Sequence, residues 1–452
     1  MNQMMKSAAP AAARGCHTRH PVLPVMIALL LDAGLTGCKG LLDVDLPGSV
    51  VEDALNDPAL ASTLAESVIA DFECAWNNYV VGTALISDQF IQASGNLNQR
   101  NWGTRRITSD DPAYAQVGCN SPYGIYTTLH VARFQAEDVY RRISGFPPEQ
   151  VANRDRHLAV ARIYGGYALL GLGEGFCEMA IDRGPLLTRQ QVFELAQTSF
   201  TEGITLAQQA SNTDLRNLAH AGRARARLDL GNWAGALADA AQIPGGYVKN
   251  ATRDESSTAR MNGFCNYLTC PSFGRNASIA PNYRDVRWED VPDPRVAVRT
   301  NNQPSADNAT AHWFPTNKFT ARTQPLQITS YAEMRLITAE ASARQGDLAT
   351  ARQIINALHT SAGIPPFDVS STATQDDVIR QVIEERRREL FLEGGHRFND
   401  HYRLRGTAYA VPYKGEPGSI HPTGVDHTGV PYGNTTCFAL PDVERASNPN
   451  LR

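Results

Sequence analysis

The sequence predicts a mainly α-helical fold, with tetratricopeptide-like helix pairs winding into a superhelical scaffold and long irregular loops inserted between them. Three observations carry that expectation. Apolar residues recur at helical spacing through about 58–92, 122–144, 153–178, 188–210, 214–243, 328–361 and 374–403. Two stretches, "ARLDLGNWAGA" at 226–236 and "ASARQGDLATA" at 341–351, share the pattern A-x4-G-[ND]-[WL]-A-x-A. In each, the glycine ends one helix and small alanines let a second helix pack against it, as in tetratricopeptide repeats. Residues 245–327 lose the periodicity and fill with Gly, Pro, Asn, Thr and aromatic residues. A structureless stretch of that length between helical blocks points to a functional or a disordered loop.

Taken in order, residues 1–37 read as a lipoprotein signal peptide. Lys6, Arg14 and Arg19 precede the apolar run "VLPVMIALLL" at 22–31, which is too short to span a bilayer, and "LTGC" follows at 35–38. "LTGC" resembles a lipobox, which makes Cys38 the expected lipidation site. Lipid chains there would hold the protein on a membrane without spanning it. Residues 38–57 form a tether, and a helix starts near Asp57 with Pro58 in its first turn. The body, 58–452, is expected to be one domain. Paired helices run over about 153–243 and 328–361, the loop-rich insert over 245–327, and further helices over 374–403. The tail from 406 is loop-like.

Composition excludes some partners. The leader carries +2, so with a total of −4 the remainder sits at −4 − 2 = −6. Such a chain is not built to hold phosphate backbones, and no nucleic-acid partner is expected. Of eight cysteines, six follow Cys38. An even number suits disulfides in an exported protein. Cys265 and Cys270, in "CNYLTC", are close enough for a local bridge. The pairing of Cys74, Cys119, Cys177 and Cys437 is left open. No CxxC pair or His spacing completes a metal site, and no phosphate or dinucleotide loop appears, so no cofactor is implied.

The stretch "EERRRELFLEGGHRFNDHYRLRG" at 384–406 holds three consecutive arginines. Glu384 and Arg388 are four apart and Glu385 and Arg388 three apart, which suits a solvated helix face. Gly394 and Gly395 offer the left-handed residue that ends this helix, and Asp400 and Arg403 start another. The arginines are expected to bridge neighbouring helices. His396 and Asp400 lack a nucleophile in recognisable context, so no catalytic residue is assigned.

This stretch, with "YAEMRLITAEASARQGDLATARQIINALHTSAGIP" before it, resembles the C-terminal signature of the RagB/SusD family. The matching residues are Tyr331, Arg335, Ala339, Glu340, Glu385, Arg386, Arg387, Glu389, Leu390, Glu393, Gly394, His396, Arg397, Phe398 and Asp400. The similarity runs more loosely upstream, with Ala132-Arg133 where the family often has Ala-Asn. The resemblance implies a lipid-anchored, cell-surface protein of the outer membrane. It would bind an oligosaccharide or similar nutrient and deliver it to a SusC-like TonB-dependent transporter. It implies no enzyme activity. An exported carboxylate-dependent glycan hydrolase and a protein-interaction scaffold are the alternatives.

A sugar ring packs its CH face on an aromatic ring while its hydroxyls need polar partners. Aromatic residues in loop-like surroundings are therefore the candidate platforms: Trp102, Tyr283, Trp288 and Trp313. Asn101, Arg287, Arg105 and Asn317 are their polar neighbours in sequence. Each aromatic has ordinary packing as its alternative. Trp76 and Trp233 are expected to pack between helices. Asp110–Asp111 and Glu289–Asp290 are read as solvated loop carboxylates, with calcium binding left open.

Overall fold

The computed structural model of the chain describes residues 52–119, 121–270, 274–367 and 373–451. The leader, Cys38 and most of the tether lie outside the described residues. Asp57 caps as expected, accepting from the Ala59 amide at 2.9 Å, but it starts a short 3-10 turn, Pro58–Leu60, that leads into the first helix. That helix, α1 (Ala61–Ile86), is buried along most of its length. Phe72, Trp76 and Tyr79 recur at helical spacing and stack with centroids 5.5 Å apart at each step. The predicted extension of α1 to residue 92 is wrong. The chain turns at Ser87 into strand β1 (Phe90–Gln92), followed by a short helix, α2 (Leu97–Gly103).

The helical block follows: α3 (Ile125–Gly145), α4 (Arg154–Gly175), the ribbon β2 (Glu178–Ala180) with β3 (Leu186–Thr188), then α5 (Arg189–Gln209), α6 (Thr213–Asp229) and α7 (Trp233–Ala240). After the insert come α8 (Tyr331–Arg344), α9 (Leu348–Ala362), α10 (Gln375–Glu389) and α11 (His396–Arg403). From α3 to α10 each helix packs on the next, including α7 on α8 across the insert. The two repeat turns are alike. Gly231 and Gly346 have φ of +67° and +87°, and the residues after them, Asn232 and Asp347, cap α7 and α9. A third turn copies the design without glycine: Ser211 has φ +51° and Asn212 caps α6.

The insert is more ordered than its sequence suggests. It holds β4 (Val248–Ala251), β5 (Ala277–Ile279), β6 (Arg287–Trp288), β7 (Val291–Pro292), β8 (Val298–Pro304), β9 (Ala311–Pro315) and β10 (Leu326–Ser330). They pair as two-stranded ribbons, β4 with β10, β6 with β7 and β8 with β9, while β5 joins β1. Strands of two to seven residues are too short to show alternation in sequence. The tail is largely irregular, with α12 (Asp442–Ser447) near its end. Disulfides join Cys74 to Cys119, Cys177 to Cys437 and Cys265 to Cys270.

The arginine-rich stretch is a buried hub, and its expected solvated face is a correction. Of the expected pairs only Glu384 with Arg388 forms, at 2.7 Å, and Glu384 also takes Arg387 at 2.7 Å. Glu385 turns inward to His359 at 2.9 Å and Arg295 at 2.7 Å. Arg386 meets Asp400 at 3.0 Å, and Arg403 joins that carboxylate to Glu340 of α8, each at 2.7 Å. Arg388 reaches Asp293 of the insert at 3.1 Å. Arg386 bridges helices as expected, but in the interior, where it needs its acid, whereas Arg387 and Arg388 tie α10 to the insert instead. Gly394 and Gly395 do adopt left-handed φ, +55° and +73°, yet they lead into α11 rather than end α10. Asp400 and Arg403 therefore lie within α11 rather than at its start.

Candidate functional site

The C-terminal segment 412–432 folds over the insert, and the seam between them is the candidate site. Two anchors fix this segment. Lys414 is fully buried, and its Nζ donates to the carbonyls of Leu85 (2.9 Å) and Phe90 (2.8 Å). Burial pushes the Lys414 ammonium down to about 7. Arg105 donates from Nη1 to the Lys414 carbonyl at 2.7 Å and from Nε to that of Thr435 at 3.0 Å. Gly415, with φ +88°, lets the backbone approach Tyr432. A Cβ there would lie 2.7 Å from that ring. Asp426 pins the next turn by accepting from the amides of Thr428 (2.8 Å) and Val430 (2.9 Å), and takes a further bond from Gln92 of β1 at 3.1 Å.

Between this segment and the insert lies a cleft of about 400 Å³. Its walls are Asn282, Glu384, Arg387, Pro412 and Gly418–Ile420, with Asp88 and Arg397 at its base. Arg397 grips Asp88 with two bonds, of 2.7 and 2.6 Å, and His401 Nε2 lies 3.2 Å from the same carboxylate. Burial alone would raise Asp88. Arg397 and His401 outweigh it and hold the carboxyl well below the usual range. The base of the cleft is thus a fixed, neutralised pair.

Both walls continue into an aromatic patch. Two residues past Asn282, the Arg284 guanidinium sits 5.2 Å from the Trp313 ring centroid. Trp313 is half-buried on β9, and its amide donates to Ser278 Oγ of β5 at 2.9 Å. Past Ile420, His421 stacks near Tyr432, with Nδ1 2.7 Å from the phenol oxygen, and His427 lies 6.1 Å from His421. Burial lowers both histidines, and the Arg284 charge reaches both. Both ring nitrogens of His427 are shielded yet have no partner among the described residues. An aromatic surface, a guanidinium, imidazoles and hydroxyls around a cleft can hold a polyhydroxylated ring.

The comparisons agree with this architecture. A profile of the SusD family matches residues 296–428, which span the second half of the insert, the buried hub and most of the C-terminal segment. The chain is SusD-like in signature and in fold. No curated protein matches it. A SusD-like carbohydrate binding protein from Bacteroides fragilis shares its fold at 16% identity and a TM-score of 0.65, over 89% of this chain and 100% of that one. Surface glycan-binding protein A from Bacteroides uniformis gives 15% identity and a TM-score of 0.65, over 86% and 98%. A laminarin-binding SusD-like protein gives 15% and 0.60, over 86% and 99%.

In this SusD-like fold the expected platform residues do not come together. Trp102 is fully enclosed, edge-on to Tyr123 at 5.1 Å, and its Nε1 donates to Asp111. Tyr283 is also enclosed, stacked on Phe391 at 4.9 Å under Arg387. Neither ring has a face left for a ligand, because both fill the junction between loops and helices. Trp288 packs edge-on to His359 at 4.8 Å, away from the cleft lining. Arg287 is exposed and paired with Asp285 at 2.9 Å, Asn101 accepts from Arg106, and Asn317 donates to the Pro294 carbonyl. Arg105 is a buried anchor. Of the expected residues, Trp313 alone faces the seam. Sequence reading missed Arg284, His421, His427 and Tyr432. The signal for the last three was a His- and Tyr-bearing segment rich in left-handed glycines, in a tail read as plain loop. A larger cleft of about 530 Å³ lies beside Tyr247 and Tyr331, but its Arg295 and Lys318 are already matched by Glu385, Glu389 and Glu393.

Proposed function

We propose that this chain is an exported, non-enzymatic glycan-binding protein, held on the outer membrane by lipid at Cys38, that hands oligosaccharide to a TonB-dependent transporter of the SusC type. The observation that carries the binding half is the seam: just past the wall residues Asn282 and Ile420, Arg284 lies over Trp313 and His421 stacks near Tyr432, and the base of the cleft is already neutralised by Asp88 and Arg397. The SusD-like fold and the glycan binding named for its structural neighbours support the same reading. The three disulfides suit export to an oxidising compartment. No described helix is long and apolar enough to cross a membrane, which is compatible with attachment by lipid. The seam's carboxylates, Asp88, Glu384 and Asp426, are engaged by Arg397, by Arg387 and Arg388, and by backbone amides. That engagement suits holding rather than cleaving.

Two measurements test this. Glycans incubated with the protein should be retained and recovered uncut, and Trp313→Ala should weaken retention while leaving the melting curve in place. Release of shorter products would overturn the reading. For the anchor, Cys38→Ser should move the protein from the membrane fraction to the soluble fraction. Persistent membrane association after a salt wash would remove lipid from the account.

A further inference from the structure

The seam contains a guanidinium, that of Arg284, whose charge no acid among the described residues answers. Arg284 donates from Nε to the Ile279 carbonyl at 2.8 Å and from Nη2 to Ser278 Oγ at 3.4 Å. Both partners are neutral, and Nη1 has no partner among the described residues. Burial alone pushes Arg284 down to about 10, with no acid among the described residues countering it. Its neighbours are different. Arg387 is matched by Glu384 at 2.7 Å and Arg397 by Asp88 at 2.6 Å. The nearest acids on the tail side are occupied: Asp426 accepts from Thr428, Val430 and Gln92. On the insert side Asp307, whose charge reaches His427, accepts from Ser305 and from the Ala309 amide through one oxygen, while its other oxygen has no partner among the described residues.

A half-buried arginine held by two neutral acceptors beside an aromatic ring keeps donors free for an anion. Its planar fork suits two-oxygen anions. We propose that the seam selects anionic saccharides, with the sugar face on Trp313 and its carboxylate or sulfate on Arg284. This rests on the glycan-binding reading above and narrows it to a ligand class. His421 and His427 then offer hydrogen bonds beside the anion, while Asp426, whose charge reaches both, keeps its oxygens on its own turn and on Gln92.

The test is calorimetry on the mature, full-length protein with three probes of matched length. These are oligogalacturonate for carboxylate, carrageenan oligosaccharide for sulfate, and laminarin oligosaccharide as the neutral control. At least one anionic probe is expected to bind tenfold or more tighter than the neutral one, and added salt should weaken it. Arg284→Gln should remove about tenfold to a hundredfold of that affinity, the range for a charged hydrogen bond, and cost the neutral probe much less, so that the preference for the anion collapses. Arg284→Lys keeps the charge without the fork and should lose part of it. Which anionic probe responds tells carboxylate from sulfate. If the neutral probe binds as tightly as both anionic ones, or Arg284→Gln leaves anionic affinity unchanged, the proposal is wrong. Neutral-only binding abolished by Trp313→Ala would sink it and leave the glycan-binding reading standing. Binding of none of the three would count against both.

Discussion

Asp400→Asn should be among the most damaging single changes in the chain. The Asp400 carboxylate is buried and takes bonds from Arg386 Nε at 3.0 Å, Arg386 Nη2 at 3.0 Å and Arg403 Nε at 2.7 Å. An asparagine keeps one acceptor oxygen but turns an NH2 group toward a guanidinium. It also removes the charge that shares two cations with Glu340. Breaking a buried pair on one side costs about 3–5 kcal/mol, because the partner is left charged and underpaired. For a chain of this size, urea sensitivity reaches or exceeds about 3 kcal/mol per molar, so the unfolding midpoint should fall by about 1 M at pH 7. Acid gives a second check. Burial would raise Asp400, but Arg386 and Arg403 outweigh it and hold the group well below the usual carboxylate range. Its folded pKa therefore lies below its unfolded value of about 4. The stabilisation is complete above that value and is lost as pH falls through the folded one. The wild-type midpoint should thus approach that of the variant on acidification below about pH 4. A loss under about 1 kcal/mol at pH 7, or a gap that does not change with pH, would refute the hub as an energetic unit.

Three further changes separate scaffold from site. Gly346→Ala places a side chain at φ +87° with open space around its Cβ, so the cost is backbone strain alone. A loss of about 1 kcal/mol in chemical denaturation is expected, with glycan retention unchanged. Trp102→Ala empties a fully enclosed site and should cost about 3–5 kcal/mol, whereas Trp313→Ala should cost little stability and much binding. The opposite order in thermal melts would reverse the assignment of the two tryptophans. Replacing both Cys177 and Cys437 by serine removes a link across 260 residues, and about 2–5 kcal/mol of stability with it. If the double variant melts with the wild type, that bridge does not hold the C-terminal segment.

Local rules in the sequence were enough for the helices, the repeat turns at Gly231 and Gly346, the Asp57 cap and the Cys265–Cys270 bridge. Each depends on residues within a few positions of one another, so spacing alone reports it. The signature stretch could be recognised as bridging helices, but not as buried. Burial of Arg386 and Arg388 depends on Asp400 folding back and on Asp293 arriving from 95 residues upstream. The seam was beyond sequence reading for the same reason. Arg284, Trp313, His421 and Tyr432 are brought together because Lys414 and Arg105 tie the tail to the end of α1. Whether an aromatic residue in a loop faces solvent or a core is decided by what lands on it. Trp102 and Trp313 have similar polar surroundings in sequence, yet one is enclosed by Tyr123 and Phe438 while the other, half-buried, lies beside the Arg284 guanidinium. Periodicity records which residues want company, and only the long-range packing of this chain determined which of them found it.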